Sequence, residues 1–477
     1  MNRFSQKLVF AWTAAGTRYL PFADAASPDL PLSRLLRLSL FQISVGMALV
    51  MLIGTLNRVM IVELNVPSAL VSVMVGLPLL FAPLRALIGF RSDNHQSALG
   101  WRRVPYIWMG TLLQFGGFAI MPFALLVLSG GGEAANAPAW IGQLGAGVAF
   151  LLVGAGMHTT QTVGLALATD LAPVESQPKV VGLMYVMLLV GMIGSAFLYG
   201  ELLADYSPGR LVQVIQGAAI ATMALNVLAL WKQEARHVVR PTAQVANASF
   251  RDAWINFSAG GYAVRRLIVL GFGTMAFSME DVLLEPYGGE ILGLSVSATT
   301  TLTATLAFGG LIGFGWASRV LSRGADPFRM ANGGAWVGIP AFCAVIISGY
   351  VQAPWLFAVG TFLIGLGAGL FGHGTLTSTM NLAPKDQAGM ALGTWGAVQA
   401  TAAGLAMALG GIFRDSVAKW ADSATGYHTV YGLELILLGV TIVVMLPLIQ
   451  KQSKGPVLIN SIPRVDREVK PNVKEKP

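Results

Sequence analysis

The residues best equipped for chemistry in this chain fall in one stretch, residues 277–295, FSMEDVLLEPYGGEILGLS. It sets Glu280, Asp281, Glu285 and Glu290 in and just after an apolar run that begins at Leu267. A carboxylate in such a run costs at least a few kcal/mol unless it faces water, a partner or a bundle interior, so its default reading is functional. The chemistry on offer is proton handling or a polar contact to a bound ligand. On a regular helix Asp281 and Glu285 share a face and Glu280 points about 100° away. The competing reading is a structural pair at one end of the segment, with Arg58 as cation and Pro286, Gly288 and Gly289 ending the helix. Of five histidines, His158 and His373 lie inside apolar runs. A neutral imidazole there serves either as a metal ligand or as an interhelical hydrogen-bonding group, and the residues alone leave both uses open.

The elements that must position these groups are membrane spans. The chain has 477 residues, 55% of them hydrophobic and 11% charged, which excludes an ordinary soluble domain. Its apolar segments reach the roughly 20 residues needed to cross about 30 Å of hydrocarbon as helix. Twelve are expected, near 37–57, 66–88, 104–128, 140–168, 180–204, 211–231, 267–289, 296–318, 331–351, 355–380, 389–413 and 430–449. Counted from Arg265 and Arg266 at about 1.5 Å per residue, Glu280 lies about 20 Å deep and Glu285 about 27 Å deep. The 56 glycines, with many Ala, Ser and Thr, favour close helix packing.

The formal charge of +8 is placed for a membrane rather than for nucleic acid. With the N-terminus in the cytoplasm, 27 of the 31 Lys and Arg residues fall on the inner side; Arg58, Arg210, Arg414 and Lys419 stay outside. That asymmetry predicts cytoplasmic termini. It also puts the Asn-Ala-Ser sequon at 247–249 inside, where it is not glycosylated. Trp101, Trp108, Trp140, Trp231 and Trp355 read as interfacial anchors, and Arg85 as a snorkelling cation. No cleavable signal peptide is expected in the first 35 residues, and the lone Cys343 permits no intramolecular disulfide. No phosphate loop, paired-cysteine metal site or nucleophile elbow occurs, so no enzymatic activity is expected.

The spans divide at the longest internal loop. The expected organisation is a tail (1–35), a six-helix half (36–231), a linker (232–265), a second six-helix half (266–450) and a C-terminal tail (451–477). Leu-Ile-Gly-Phe recurs at 87–90 and 311–314, and Leu-Ala-Pro at 171–173 and 382–384, in matching places of the two halves. Parallel six-span repeats describe the major facilitator fold, so the expected class is all-α with twelve transmembrane helices. Between spans 2 and 3, GFRSDNHQSALGWRR supplies Gly89, Asp93, Gly100, Arg102 and Arg103, a pattern close to the cytoplasmic ion-paired turn of that fold. The Asp-to-Gly gap is about four residues longer than usual.

Four stretches together, RYLPFADAASPDLPLSRLLRL, GTLNRVMIVELNVPSALV, RALIGFRSDNHQSALGWRRVPYIWMGTLLQFGG and FSMEDVLLEPYGGEILGLSVSATT, resemble the PucC/LhaA proteins of photosynthetic bacteria. The resemblance implies an assembly factor for light-harvesting antennae that binds or delivers bacteriochlorophyll in the photosynthetic membrane. Its implied partners are antenna polypeptides, the core photosynthetic complex, bacteriochlorophyll synthase and membrane lipids. Alternatives are a secondary transporter of a small amphiphile or pigment precursor, coupled to protons through Glu280 or Asp281, and a pigment-free scaffold. Given such a pigment, His158 or His373 is a candidate axial ligand of its magnesium. A helical side chain leans toward the preceding turn, so Gly154 and Gly369, each four residues earlier, are expected to leave a groove for the ring.

Overall fold

The computed structural model describes residues 26–27, 30–80, 88, 92, 97, 100–130, 136–173, 176–234, 263–382 and 388–449. Gly89, Asp93, Arg85, His95, His237, the sequon and most of both tails and of the linker lie outside these residues. Among the described residues the regular structure is helical, with no strand. The first half contains α1 (Leu32–Glu63), α2 (Ser68–Leu80), α3 (Val104–Leu128), α4 (Ala139–Leu171), α5 (Gln177–Leu202) and α6 (Pro208–Leu230). The second contains α7 (Val264–Glu290), α8 (Val296–Leu321), α9 (Pro327–Val351), α10 (Pro354–Leu382), α11 (Ala388–Ala418) and α12 (Ser423–Met445).

Eleven described helices are long and apolar enough to cross a membrane, which makes this a multi-pass membrane protein. The described part of α2 is shorter, because its expected span, 66–88, runs on through residues 81–87 that are not described. The first helix outruns its expected bounds of 37–57 at both ends. It passes through two π-helical stretches, Val50–Leu56 and Val59–Glu63, whose wider turn sets residues five apart on one face. Elsewhere local chemistry fixes the starts. Ser207, Ser295, Asp326 and Asp422 cap α6, α8, α9 and α12 by accepting the N–H of Arg210, Ala298, Phe328 and Thr425.

One apolar core is built mainly on α1 to α6 and a second on α7 to α12. Val282, Val296, Ala304 and Met407 join the first core from the second half, so the halves interlock. The backbones approach closely where α2 crosses α11: a Cβ on Gly76 would stand 2.6 Å from the Gly404 carbonyl oxygen, and only glycine fits there. Trp140, Trp231 and Trp355 are exposed on the outside of the bundle, in keeping with anchoring roles.

Candidate binding cavity at the broken helix α7

The segment that carries the acids is not one regular helix. After Ala276 the α-helix stops, a turn covers residues 277–279, Glu280–Val282 forms a 3-10 turn, and a short helix resumes over Leu284–Glu290. Pro286 explains part of this. It has no N–H to give to the carbonyl four residues earlier, which is Val282. That carbonyl instead accepts Asn57 Nδ2 of α1 at 2.9 Å. At the other side of the break the N–H of Glu280 donates to Glu434 Oε1 of α12 at 2.7 Å. Two groups released by the break thus find partners on other helices.

The break corrects the helical-wheel expectation. Glu280 does not turn away from its neighbours, because Glu280, Asp281 and Glu285 all line one cavity of about 310 Å³ between the halves. Its other walls come from α1 (Ile53), α5 (Met192), α8 (Leu306) and α11 (Met407). A second cavity of about 280 Å³ adjoins it, sharing Met192, Glu280, Asp281, Leu306 and Gln399, and is lined on its far side by α10.

The acids have distinct settings. Glu285 is buried; it accepts from Thr303 Oγ1 of α8, and a Cβ on Gly54 would lie 2.8 Å from its Oε1. Gly54 therefore opens the path by which α1 comes up to the α7 carboxyl. Glu290 lies farther out, where Arg414 Nη2 reaches it at 2.5 Å and Tyr427 donates to it at 2.7 Å. Arg58 makes its direct bonds elsewhere. It pairs with Glu63, five residues along the π-helical turn, and its Nη2 donates to the Leu294 carbonyl at 3.0 Å. Glu434, fully buried on α12, is an acid of this site that the sequence reading passed over. Its signal was the one used for Glu280, a lone carboxylate inside an apolar run.

The two histidines part company. His373 lines the second cavity together with Glu280 and Asp281, its ring 4.2 Å from that of Phe314. His158 is buried in α4 and lines neither cavity. The expected grooves need correcting on steric grounds. A Cβ on Gly154 would meet Pro78 of α2 at 2.5 Å, and one on Gly369 the Gly310 carbonyl oxygen of α8 at 2.5 Å. Both glycines serve helix contact, although Gly369 also borders the second cavity.

Of the ion-paired turn, Gly100, Arg102 and Arg103 are described. Gly100 takes a positive φ of 80°, which suits a residue without Cβ. Arg102 and Arg103 both reach Asp170 at the end of α4, at 2.6 and 3.0 Å, and Arg103 Nη1 donates to Ser92 at 2.7 Å. The Glu234 carboxylate accepts the N–H groups of Arg102, Arg103 and Val104, satisfying the open amides at the start of α3. This network ties the α2–α3 connection to the ends of α4 and α6, all within the first half.

With this geometry in view, comparison with known proteins is decisive. A profile of the family described as PUCC protein matches residues 55–453. The chain belongs to the PUCC family. Protein PucC of Rhodovulum sulfidophilum is 65% identical over 420 residues, covering 87% of this chain and 92% of that protein. A more distant relative of this PUCC-family chain is the bacteriochlorophyll synthase 44.5 kDa chain of Rhodobacter capsulatus, 26% identical with 85% and 92% of the two chains covered. Among solved structures, a D-xylose–proton symporter superposes with a TM-score of 0.68 at 14% identity, covering 87% of this chain and 97% of that one. The fold is the all-α major facilitator fold expected.

Proposed function

We propose that this PUCC-family protein is an assembly factor for bacterial light-harvesting antennae, one that holds or delivers bacteriochlorophyll while antenna polypeptides insert and oligomerise. The observation that carries the reading is a pair of adjoining cavities inside the bundle, where His373 and the α7 carboxyls face largely apolar walls. Each cavity is at or near the lower end of the roughly 300–1,000 Å³ range of small-molecule sites, and the two together suit part of a large flat amphiphile. Fold likeness alone would not select this function, since the fold hosts many. Family membership and the name of the distant relative are what point to the pigment.

In this proposal the pigment is cargo and the protein is not an enzyme. His373 holds the magnesium of the macrocycle, with Gln399 and Asp281 as polar neighbours in the same cavity. The partners are antenna polypeptides, the core photosynthetic complex, bacteriochlorophyll synthase and membrane lipids. The site of action is the photosynthetic membrane, with both termini cytoplasmic. Gentle purification from pigment-replete membranes tests it: the absorption spectrum is expected to show co-purified bacteriochlorophyll or a late precursor, and pigment-free protein would overturn the reading.

A second reading has its own support. The cavity lies between the halves of a transporter-like fold and carries buried acids, which suits a proton-coupled carrier of a small amphiphile. Counterflow into liposomes that depends on the pH gradient would select it.

A further inference from the structure

We infer that Glu280 of α7 and Glu434 of α12 form a proton-binding site, in which one proton shared by the two carboxyls holds α7 in its broken shape. The site goes beyond the pigment reading and does not rest on it.

The geometry has three parts. First, the backbone N–H freed by the break donates to Glu434 Oε1 at 2.7 Å, so the α12 acid is fastened to the break itself. Second, that contact sets the Glu434 carboxyl beside the residue that bears the Glu280 carboxyl, so the two acids are immediate neighbours. Third, Glu280 and Glu434 are 1% and 0% exposed, and each keeps an Oε2 that is buried with no hydrogen-bond partner. Two carboxylate anions offer each other only lone pairs. They can form a hydrogen bond only when one of them carries a proton.

The surroundings supply no substitute for that proton. Facing the pair from α7 are Asp281 and, farther along, Glu285, both acidic. Tyr431 of α12 directs its hydroxyl to the Leu283 carbonyl at 3.4 Å, and Tyr287 meets the Tyr431 and Tyr427 rings edge to face. The walls from α11 are Gln399, Ala400, Ala403 and Met407, and His373 of α10 lies across the second cavity. Arg58 and Arg414 are engaged with Glu63 and Glu290 toward the end of the bundle. Among the described residues no cluster of three or more acids, histidines or cysteines is arranged to hold a metal ion, which favours a proton over a metal cation. When the proton leaves, the two buried anions repel, the Glu280 side chain is driven away from Glu434 into the cavity, and the break loosens there.

The test uses full-length protein in detergent, stripped of pigment, so that its failure is separate from failure of the assembly reading. Infrared spectra in H₂O and D₂O are expected to show a protonated-carboxyl band that is lost in both Glu280→Gln and Glu434→Gln, because either change removes the shared site. A glutamine amide can still donate to the remaining carboxylate, so both variants should fold; where one does not accumulate, the other gives the reading. A carboxyl spectrum unchanged by the substitutions overturns the site, as does a band that sodium removes at constant pH. The coupling to α7 is read by a single cysteine at the break, Ser278→Cys with Cys343→Ala. Its labelling rate is expected to rise with pH more steeply than thiolate formation alone gives, and to follow thiolate formation once Glu434→Gln is added. A profile that already follows thiolate formation before that addition overturns the coupling.

Discussion

His373 and His158 look alike in the sequence, each four residues after a glycine in an equivalent span, yet of the two His373 alone lines one of the two adjoining cavities. Replacing His373 with Phe keeps an aromatic ring beside Phe314 and removes the imidazole. The expected outcome is less bound pigment per protein with a melting temperature close to the parent. His158→Phe is expected to leave pigment content unchanged in whatever protein folds, since His158 lines neither of the adjoining cavities. Gly369→Leu behaves differently from either. Its side chain would strike the Gly310 carbonyl, so it pries α10 from α8 and lowers thermal stability, by about 1–3 kcal/mol as overpacking does. Pigment stoichiometry measured beside a melting curve separates the three. The sequence could show the imidazoles and the glycines, because residue type and spacing are local. Which glycine faced a neighbouring backbone was set by helix crossings, which spacing does not encode.

At the scale of elements, the helices were legible and the break in α7 was not. Long apolar runs place α6, α8, α9 and α12, since span length acts within one segment, but the Asp caps start α9 and α12 at Pro327 and Ser423, ahead of the expected 331 and 430. The break depends on two groups far away in the chain, Asn57 and Glu434, which take up the backbone bonds that α7 gives up. Pro286 was visible and was read as a helix end, whereas it frees the Val282 carbonyl for α1. A double-mutant cycle checks this account. Asn57→Ala leaves that carbonyl buried without its donor, an expected loss of about 1–3 kcal/mol. Pro286→Ala restores an N–H aimed at the same carbonyl, so Asn57→Ala should cost less in that background, with a coupling of about 1 kcal/mol. Equal costs in both backgrounds would mean that Asn57 acts on α1 alone.

At the scale of the whole molecule, described contacts brace both ends of the bundle. At one end the halves are tied together: Asp415 of α11 accepts the Ala69 N–H of α2 at 2.7 Å, and Arg58 of α1 reaches the Leu294 carbonyl at 3.0 Å. At the other end Arg102, Arg103, Asp170 and Glu234 brace the first half within itself. The sequence assigns a side to each end through its cations. Arg58, Arg414 and Lys419 mark the tied end as the poor one, while the α2–α3, α6–α7 and α8–α9 connections are rich in Lys and Arg and should stay in the cytoplasm. Trp420, 92% exposed after α11, belongs to the tied end, and Ser322, exposed between α8 and α9, to the other. With Cys343 replaced by alanine, each position can carry the only cysteine of the chain. In cells whose inner membrane is intact, a membrane-impermeant maleimide should label Trp420→Cys and should reach Ser322→Cys only after permeabilisation. The reverse pattern would invert the membrane orientation.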